Sequence, residues 1–220
     1  MYLKDTDESL TRIGPRTPMG DVLRRFWVPA LLAHELPGRY DAPVEVRLFG
    51  EDLVVELDAE GELAITDRYF KEMAAYPVVQ SGGIAWTYMG PHHFKPQLPV
   101  FPWSALPPLH RATSKQIEAG NWARAIEKRL TADSRFMPPF YTSPSPEHGR
   151  AHVPIDDAHT LVWSFGANAK AGAADAGEPD EEAIAEFHHL MVGLARDVAR
   201  GHAPEAASHG EWYSQRPFPI

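Results

Sequence analysis

The hydrophobic pattern changes period along the chain, and each change marks an element. Met19, Val22, Leu23 and Phe26 recur at helical spacing. Thr17-Pro18 stands just before them, a capping hydroxyl followed by the imino acid that suits a first helical turn, so a short helix is predicted there. Trp27 to Leu32 is apolar throughout and reads as a buried extended segment. Val44, Val46 and Leu48 alternate with Glu45 and Arg47, the signature of a half-buried strand. A turn at Gly50-Glu51-Asp52 leads into a strand over Leu53 to Leu57, and Asp58-Ala59-Glu60-Gly61 turns the chain into Leu63-Ala64-Ile65. Tyr76 to Val79 and Ile84 to Tyr88 flank Gln80-Ser81-Gly82-Gly83, which signals a hairpin. Residues 20–90 therefore read as a small antiparallel β domain.

From residue 91 to 108 the pattern breaks on six prolines, from Pro91 to Pro108, and predicts an extended connector anchored by Phe94, Phe101 and Trp103. A strand is predicted over His110 to Glu118. Asn121 caps a helix that carries Trp122, Ala125, Ile126 and Leu130 on one face. Arg150 to Ile155 and Thr160 to Phe165 are strands joined by the turn Asp156-Asp157-Ala158-His159. Lys170 to Gly177 is a loop rich in Ala and Gly. The clearest helix runs from Asp180 to Arg200, with an acidic first turn, Gly201 at its end and an apolar stripe of Ile184, Phe187, Leu190, Met191, Leu194 and Val198.

Composition narrows the chemistry. The 220 residues contain no cysteine, so the chain alone builds no disulfide, thiolate nucleophile, Cys-zinc site or ordinary iron–sulfur cluster. A net charge of -9 repels phosphate backbones and argues against nucleic acid as a partner. No apolar run approaches the roughly 18 residues of a membrane span, and Met1 to Glu8 lacks a basic segment followed by an apolar one. These features predict a cytoplasmic protein.

Several strings, in order, resemble the large subunit of Rieske non-haem iron oxygenases of the phthalate dioxygenase type. They are Arg12 to Gly20 (RIGPRTPMG), Arg25 to Ala30 (RFWVPA), Val46 to Val54 (VRLFGEDLV), Ala75 to Val79 (AYPVV), Gly82 to Pro91 (GGIAWTYMGP), Asn121 to Glu127 (NWARAIE) and His152 to Thr160 (HVPIDDAHT). The resemblance implies an α+β fold: a trimmed Rieske-like antiparallel β-sandwich over 1–95, without its cluster-binding lobe, then a remnant of the oxygenase catalytic domain over 96–220. That second part is expected to be a trimmed helix-grip-like domain with a curved antiparallel sheet and a long C-terminal helix.

The positions that carry metal in that family are missing. The family's Cys-x-His and Cys-x-x-His pairs hold a [2Fe–2S] cluster. They belong between the strand ending near Asp67 and the segment Phe70 to Pro77, where only Arg68 and Tyr69 stand. The family's mononuclear iron uses two histidines and a carboxylate. The His pair belongs after the helix at Asn121 to Glu127, where this chain has Thr131-Ala132-Asp133-Ser134-Arg135-Phe136-Met137 and no histidine before His148. The carboxylate has no placed counterpart: Glu186 and Asp197 lie on a helix that resembles the one after the ligand position.

The resemblance therefore implies a metal-free, non-catalytic small (beta-type) subunit of a ring-hydroxylating or demethylating oxygenase complex, not an enzyme by itself. Its partner would be a catalytic large subunit carrying the [2Fe–2S] cluster and mononuclear iron. The two would form an equal-number hetero-oligomer on a trimeric ring. Tyr69, Phe70 and Met73 are candidate partner-contact residues, because they mark the place where the lobe is absent. The alternative is a free-standing binding protein for an aromatic acid. A third reading places a metal between His152 and His159 across their turn, with Asp156 or Asp157. Turn and surface histidines that merely hydrogen-bond are the simpler account of those residues. His92-His93 and His188-His189 are adjacent in sequence, so their side chains diverge. Trp86, Tyr88, Trp103, Trp122 and Trp163 could line a pocket, but core packing explains them more simply. Ser143, Ser145 and Ser164 lack the context of a nucleophile elbow.

Overall fold

The computed structural model describes residues 9–70, 75–132, 134–145, 148–167 and 177–202. Helix α1 (Pro18–Leu23) starts as its sequence demands: the Thr17 hydroxyl accepts the Gly20 N–H, and Pro18 occupies the first turn. Gly20 is obligatory here, since a Cβ would stand 2.3 Å from the Gly14 carbonyl oxygen. The chain continues through β1 (Trp27–Leu32), β2 (Val44–Leu48), β3 (Glu51–Leu57), β4 (Leu63–Asp67), β5 (Val78–Ser81) and β6 (Ile84–Tyr88). These six strands form two antiparallel three-stranded sheets, ordered β1-β6-β5 and β2-β3-β4.

Two turns carry most of the local chemistry. Gly82 and Gly83 join β5 to β6 with φ of 64° and 80°, which suits a two-residue hairpin. At Gly82 a Cβ would also stand 2.7 Å from the Trp103 ring, so glycine is needed twice over. The β2–β3 turn falls on Phe49-Gly50, one residue earlier than the sequence pattern indicates, and β3 begins at Glu51. Phe49 adopts φ 51°, uncommon for a non-glycine residue. Burial of its ring and the Arg24 guanidinium 5.3 Å from the ring centroid favour that conformation. The turn also donates Phe49 N–H to the Pro154 carbonyl and Gly50 N–H to that of Ile155, which ties the first half of the chain to the second.

The second half is one five-stranded antiparallel sheet, ordered β7-β11-β10-β9-β8, from β7 (Arg111–Ala119), β8 (Arg135–Met137), β9 (Tyr141–Ser145), β10 (His148–Pro154) and β11 (His159–Ala167). Helix α2 (Trp122–Glu127) is capped by Asn121 and packs on β10 and β11. Helix α3 (Glu181–Ala199) is capped by Asp180 and lies against α1. Phe187, Met191, Leu194 and Val198 form its buried stripe, each worth about 1.5–3 kcal/mol of burial. Leu190, which the sequence pattern includes, is 38% exposed, because it sits on the flank of that stripe.

The connector between the halves is not a free extended segment. It makes three short 3₁₀ turns, and Phe101 and Trp103 are buried while Phe94 is only half-buried beneath Arg25. Trp86, Phe101, Trp103, Phe165 and Trp163 form a chain of stacked rings from β6 through the connector to β11. Buried apolar residues from Leu10 to Val198 belong to one continuous cluster. The fold is thus mixed α and β, with antiparallel sheets and one long C-terminal helix.

Candidate functional site

The crossing from β4 to β5 joins the two small sheets at the place where a cluster lobe is expected. Asp67 closes it locally: one carboxylate oxygen accepts the N–H groups of Tyr69 at 2.8 Å and Phe70 at 2.9 Å. Arg68 donates its backbone N–H to the Asp52 carbonyl and its guanidinium to Glu45 at 2.6 Å. Held this way, Tyr69 and Phe70 project outward, 70% and 64% exposed. Met73 lies outside the described residues. Tyr76 then bridges back to Ile65 on β4, donating its N–H to the Ile65 carbonyl.

Beneath the crossing lies a charged network that the sequence pattern did not reveal. Arg24 reaches Glu51 through Nε at 2.9 Å and Nη2 at 2.6 Å, and donates to the carbonyls of Ile13, Gly20 and Phe49. Tyr76 donates its hydroxyl to the other Glu51 oxygen at 3.0 Å. Burial and the Glu51 charge push the Tyr76 phenol well above its ordinary range, so it stays a donor. Glu51 and Tyr76 stand in two separate motif strings, Arg24 falls between two others, and no spacing links the three.

The segment after α2 is closed on itself. The Ser134 hydroxyl donates to the Arg129 carbonyl and accepts the Thr131 N–H, which turns the chain directly from α2 toward β8. Asp133 lies outside the described residues. On α2, Glu127 binds His188 of α3 at 2.7 Å and Arg124 at 2.7 Å. Burial raises the Glu127 carboxyl, but these two donors outweigh it and the net shift is downward.

The histidines do not converge. His152 and His159 fail to meet across their turn: His152 pairs with Val162 and is fully buried, whereas His159 opens β11 and is exposed. His159 is held by Asp156 at 2.9 Å, and Asp157 accepts the Ile13 N–H. His92 and His93 are exposed on a 3₁₀ turn. Among the described residues, no three His, Asp or Glu side chains are placed to hold a metal ion. Ser164 is half-buried on β11.

His152 is the most unusual titratable group. Its Nε2 lies 3.0 Å from the Thr142 hydroxyl, and its Nδ1 is buried with no hydrogen-bond partner among the described residues. Burial, then the charges of Arg129 and Arg150, hold its imidazole neutral, well below the ordinary histidine range. Strand alternation puts it on the sheet face covered by α2, away from the Trp163 face.

No family model matches the chain. It is 27% identical over 165 residues to a phthalate 4,5-dioxygenase oxygenase subunit of Pseudomonas putida, covering 54% of this chain and 38% of that one. A 3-chlorobenzoate-3,4-dioxygenase oxygenase subunit of Comamonas testosteroni is 26% identical over 177 residues, covering 59% and 41%. A 5,5'-dehydrodivanillate O-demethylase oxygenase subunit of Sphingobium sp. (strain NBRC 103272 / SYK-6) is 36% identical over 93 residues, covering 41% and 22%. The matches span about two fifths or less of these relatives' length. In the first, 165 aligned positions use 54% of 220 residues, so about 46 positions of the relative face nothing in this chain. Among solved structures, the terminal oxygenase of carbazole 1,9a-dioxygenase from Nocardioides aromaticivorans IC177 aligns at TM-score 0.48 and 14% identity, over 94% of this chain and 91% of that one.

Proposed function

From the premise that this chain is a homologue of Rieske oxygenase subunits of the phthalate dioxygenase type, we propose that it is the non-catalytic small subunit of such a complex. It stabilises or shapes a catalytic large subunit that carries the [2Fe–2S] cluster and the mononuclear iron. The observation that carries this reading is the pairing of retained scaffold with absent ligands. The motif strings on both sides of each gap fold into sheets and helices, while the chain has no cysteine at all. The unmatched positions inside the aligned stretch are what loss of the cluster lobe would leave.

Tyr69 and Phe70 are the proposed contact. Two exposed aromatics stand where the family's lobe is expected, on backbone that Asp67 holds in place, which lowers the backbone ordering cost of docking. Seating on the face or periphery of a trimeric ring, in equal numbers, would leave the large subunits' own relay of electrons uninterrupted.

The alternative is a free-standing binding protein for an aromatic acid. The names of two relatives, a phthalate and a chlorobenzoate dioxygenase subunit, are its motive. Turnover and thermal stability of the large oxygenase subunit, measured with and without this chain, separate the two. A gain in either on adding the chain supports the subunit reading. No change, together with a melting shift of this chain on adding phthalate or benzoate, supports the binding protein.

A further inference from the structure

Beyond any role in assembly, His152 occupies a position with a conformational consequence. It sits in the interior of the five-stranded sheet, on β10, wholly buried. Thr142 on β9 is its one side-chain hydrogen-bond partner among the described residues, and Nδ1 has none. On β11 its neighbours are the uncharged Thr160, Val162 and Ser164. The charges around it are mostly positive. Arg150 lies two residues away on the same strand, and Arg129 stands just past α2. Among the described residues the acid on that face is Glu118 of β7, and its Oε1 already takes Arg129 at 2.6 Å and Gln116 at 2.9 Å. On the covering helices, Glu127 and His188 are closed on each other.

We propose that His152 is an acid-sensitive pin of the helix–sheet interface, whose protonation drives the α2 layer off the sheet. A second proton would place an imidazolium in a dry site beside two guanidiniums, with no carboxylate of the described residues free to receive it. The native packing has no low-energy answer to that charge. Opening has one: once α2 lifts, water reaches Nδ1. The Arg129–Glu118 bond that ties the end of α2 to β7 is then loosened as well. Trp122 and Ile126, buried on α2, become exposed in the same step. The sign follows from the depressed pKa. The open state takes up a proton near the ordinary histidine range and the closed state does not, so closure is complete above that range and weakens as pH falls below it.

The test is amide hydrogen exchange of the full chain from about pH 7.5 to pH 5, corrected for intrinsic rates, for wild type and His152→Gln. Glutamine keeps a hydrogen-bonding amide and cannot titrate. The opening constant of α2 and β10 should rise about tenfold per pH unit below about pH 6.5 in the wild type, one proton's worth, and stay flat in the variant. Equal pH dependence in the two proteins overturns the proposal. Should His152→Gln not fold, the wild-type imidazole is followed by NMR over the same range. A ring that stays neutral in the folded signal while a second, open population grows supports the pin. A ring that titrates within the folded signal overturns it.

Discussion

Glu51 offers the sharpest perturbation of the scaffold. Removing its carboxylate by Glu51→Ala leaves the Arg24 guanidinium, 9% exposed, without its counter-ion, and the Tyr76 hydroxyl without its acceptor. Breaking a buried pair by deleting one partner costs roughly 3–5 kcal/mol. Here Arg24 retains three carbonyl acceptors and the Glu51 side chain is 15% exposed, so the lower end applies, about 3 kcal/mol. For a chain of this length that corresponds to a fall of roughly 6–12 °C in Tm. Tyr76→Phe removes only a hydrogen bond to a charged group and should cost about 1.5 kcal/mol. Urea denaturation of both single variants and of Arg24→Met/Glu51→Met tests the account. The double variant should lose less than Glu51→Ala alone, since it strands no charge. A loss under about 1 kcal/mol for Glu51→Ala would refute the reasoning, because it would place the pair in the energetic class of surface ion pairs.

Gly82→Ala combines a left-handed φ with a Cβ 2.7 Å from the Trp103 ring, and should destabilise by about 2 kcal/mol or more in the same denaturation assay. Asp180→Ala removes the cap that accepts the Ala183 N–H and should cost about 1 kcal/mol, with reduced helical circular dichroism. Glu127 has a lowered carboxyl, so its contribution is present above the ordinary glutamate range and fades as pH falls through the lowered value. Glu127→Gln should therefore flatten the acid limb of the stability–pH curve.

How much of this was legible in the sequence depends on whether a feature is local. Thr17-Pro18, Asn121 and Asp180 announce helix starts because a cap acts within three residues, and all three act as caps. Gly82-Gly83 announces its turn for the same reason. The Phe49-Gly50 turn was misplaced because its determinants are distant: the carbonyls of Pro154 and Ile155 and the guanidinium of Arg24 hold Phe49 in a conformation that its own side chain disfavours. The Arg24–Glu51–Tyr76 network and the Thr142–His152 contact join residues that only the folded sheets bring together. The histidine triad at the β10–β11 turn failed on strand geometry, since the pairing sets His152 against Val162 and leaves His159 outside. The absence of thiolates, by contrast, is read directly from composition, because the chain has no cysteine.

The central claim is that this chain serves a catalytic large subunit, and native mass spectrometry of the co-expressed pair tests it most directly. The large subunit offered is a Rieske oxygenase of the phthalate dioxygenase type, and the comparison is the wild type against Tyr69→Ser/Phe70→Ser. The account predicts one assembly with equal numbers of the two chains, built on three large subunits, and loss of this chain from it in the double variant. A large subunit that assembles and turns over fully by itself, and never carries this chain, would contradict it.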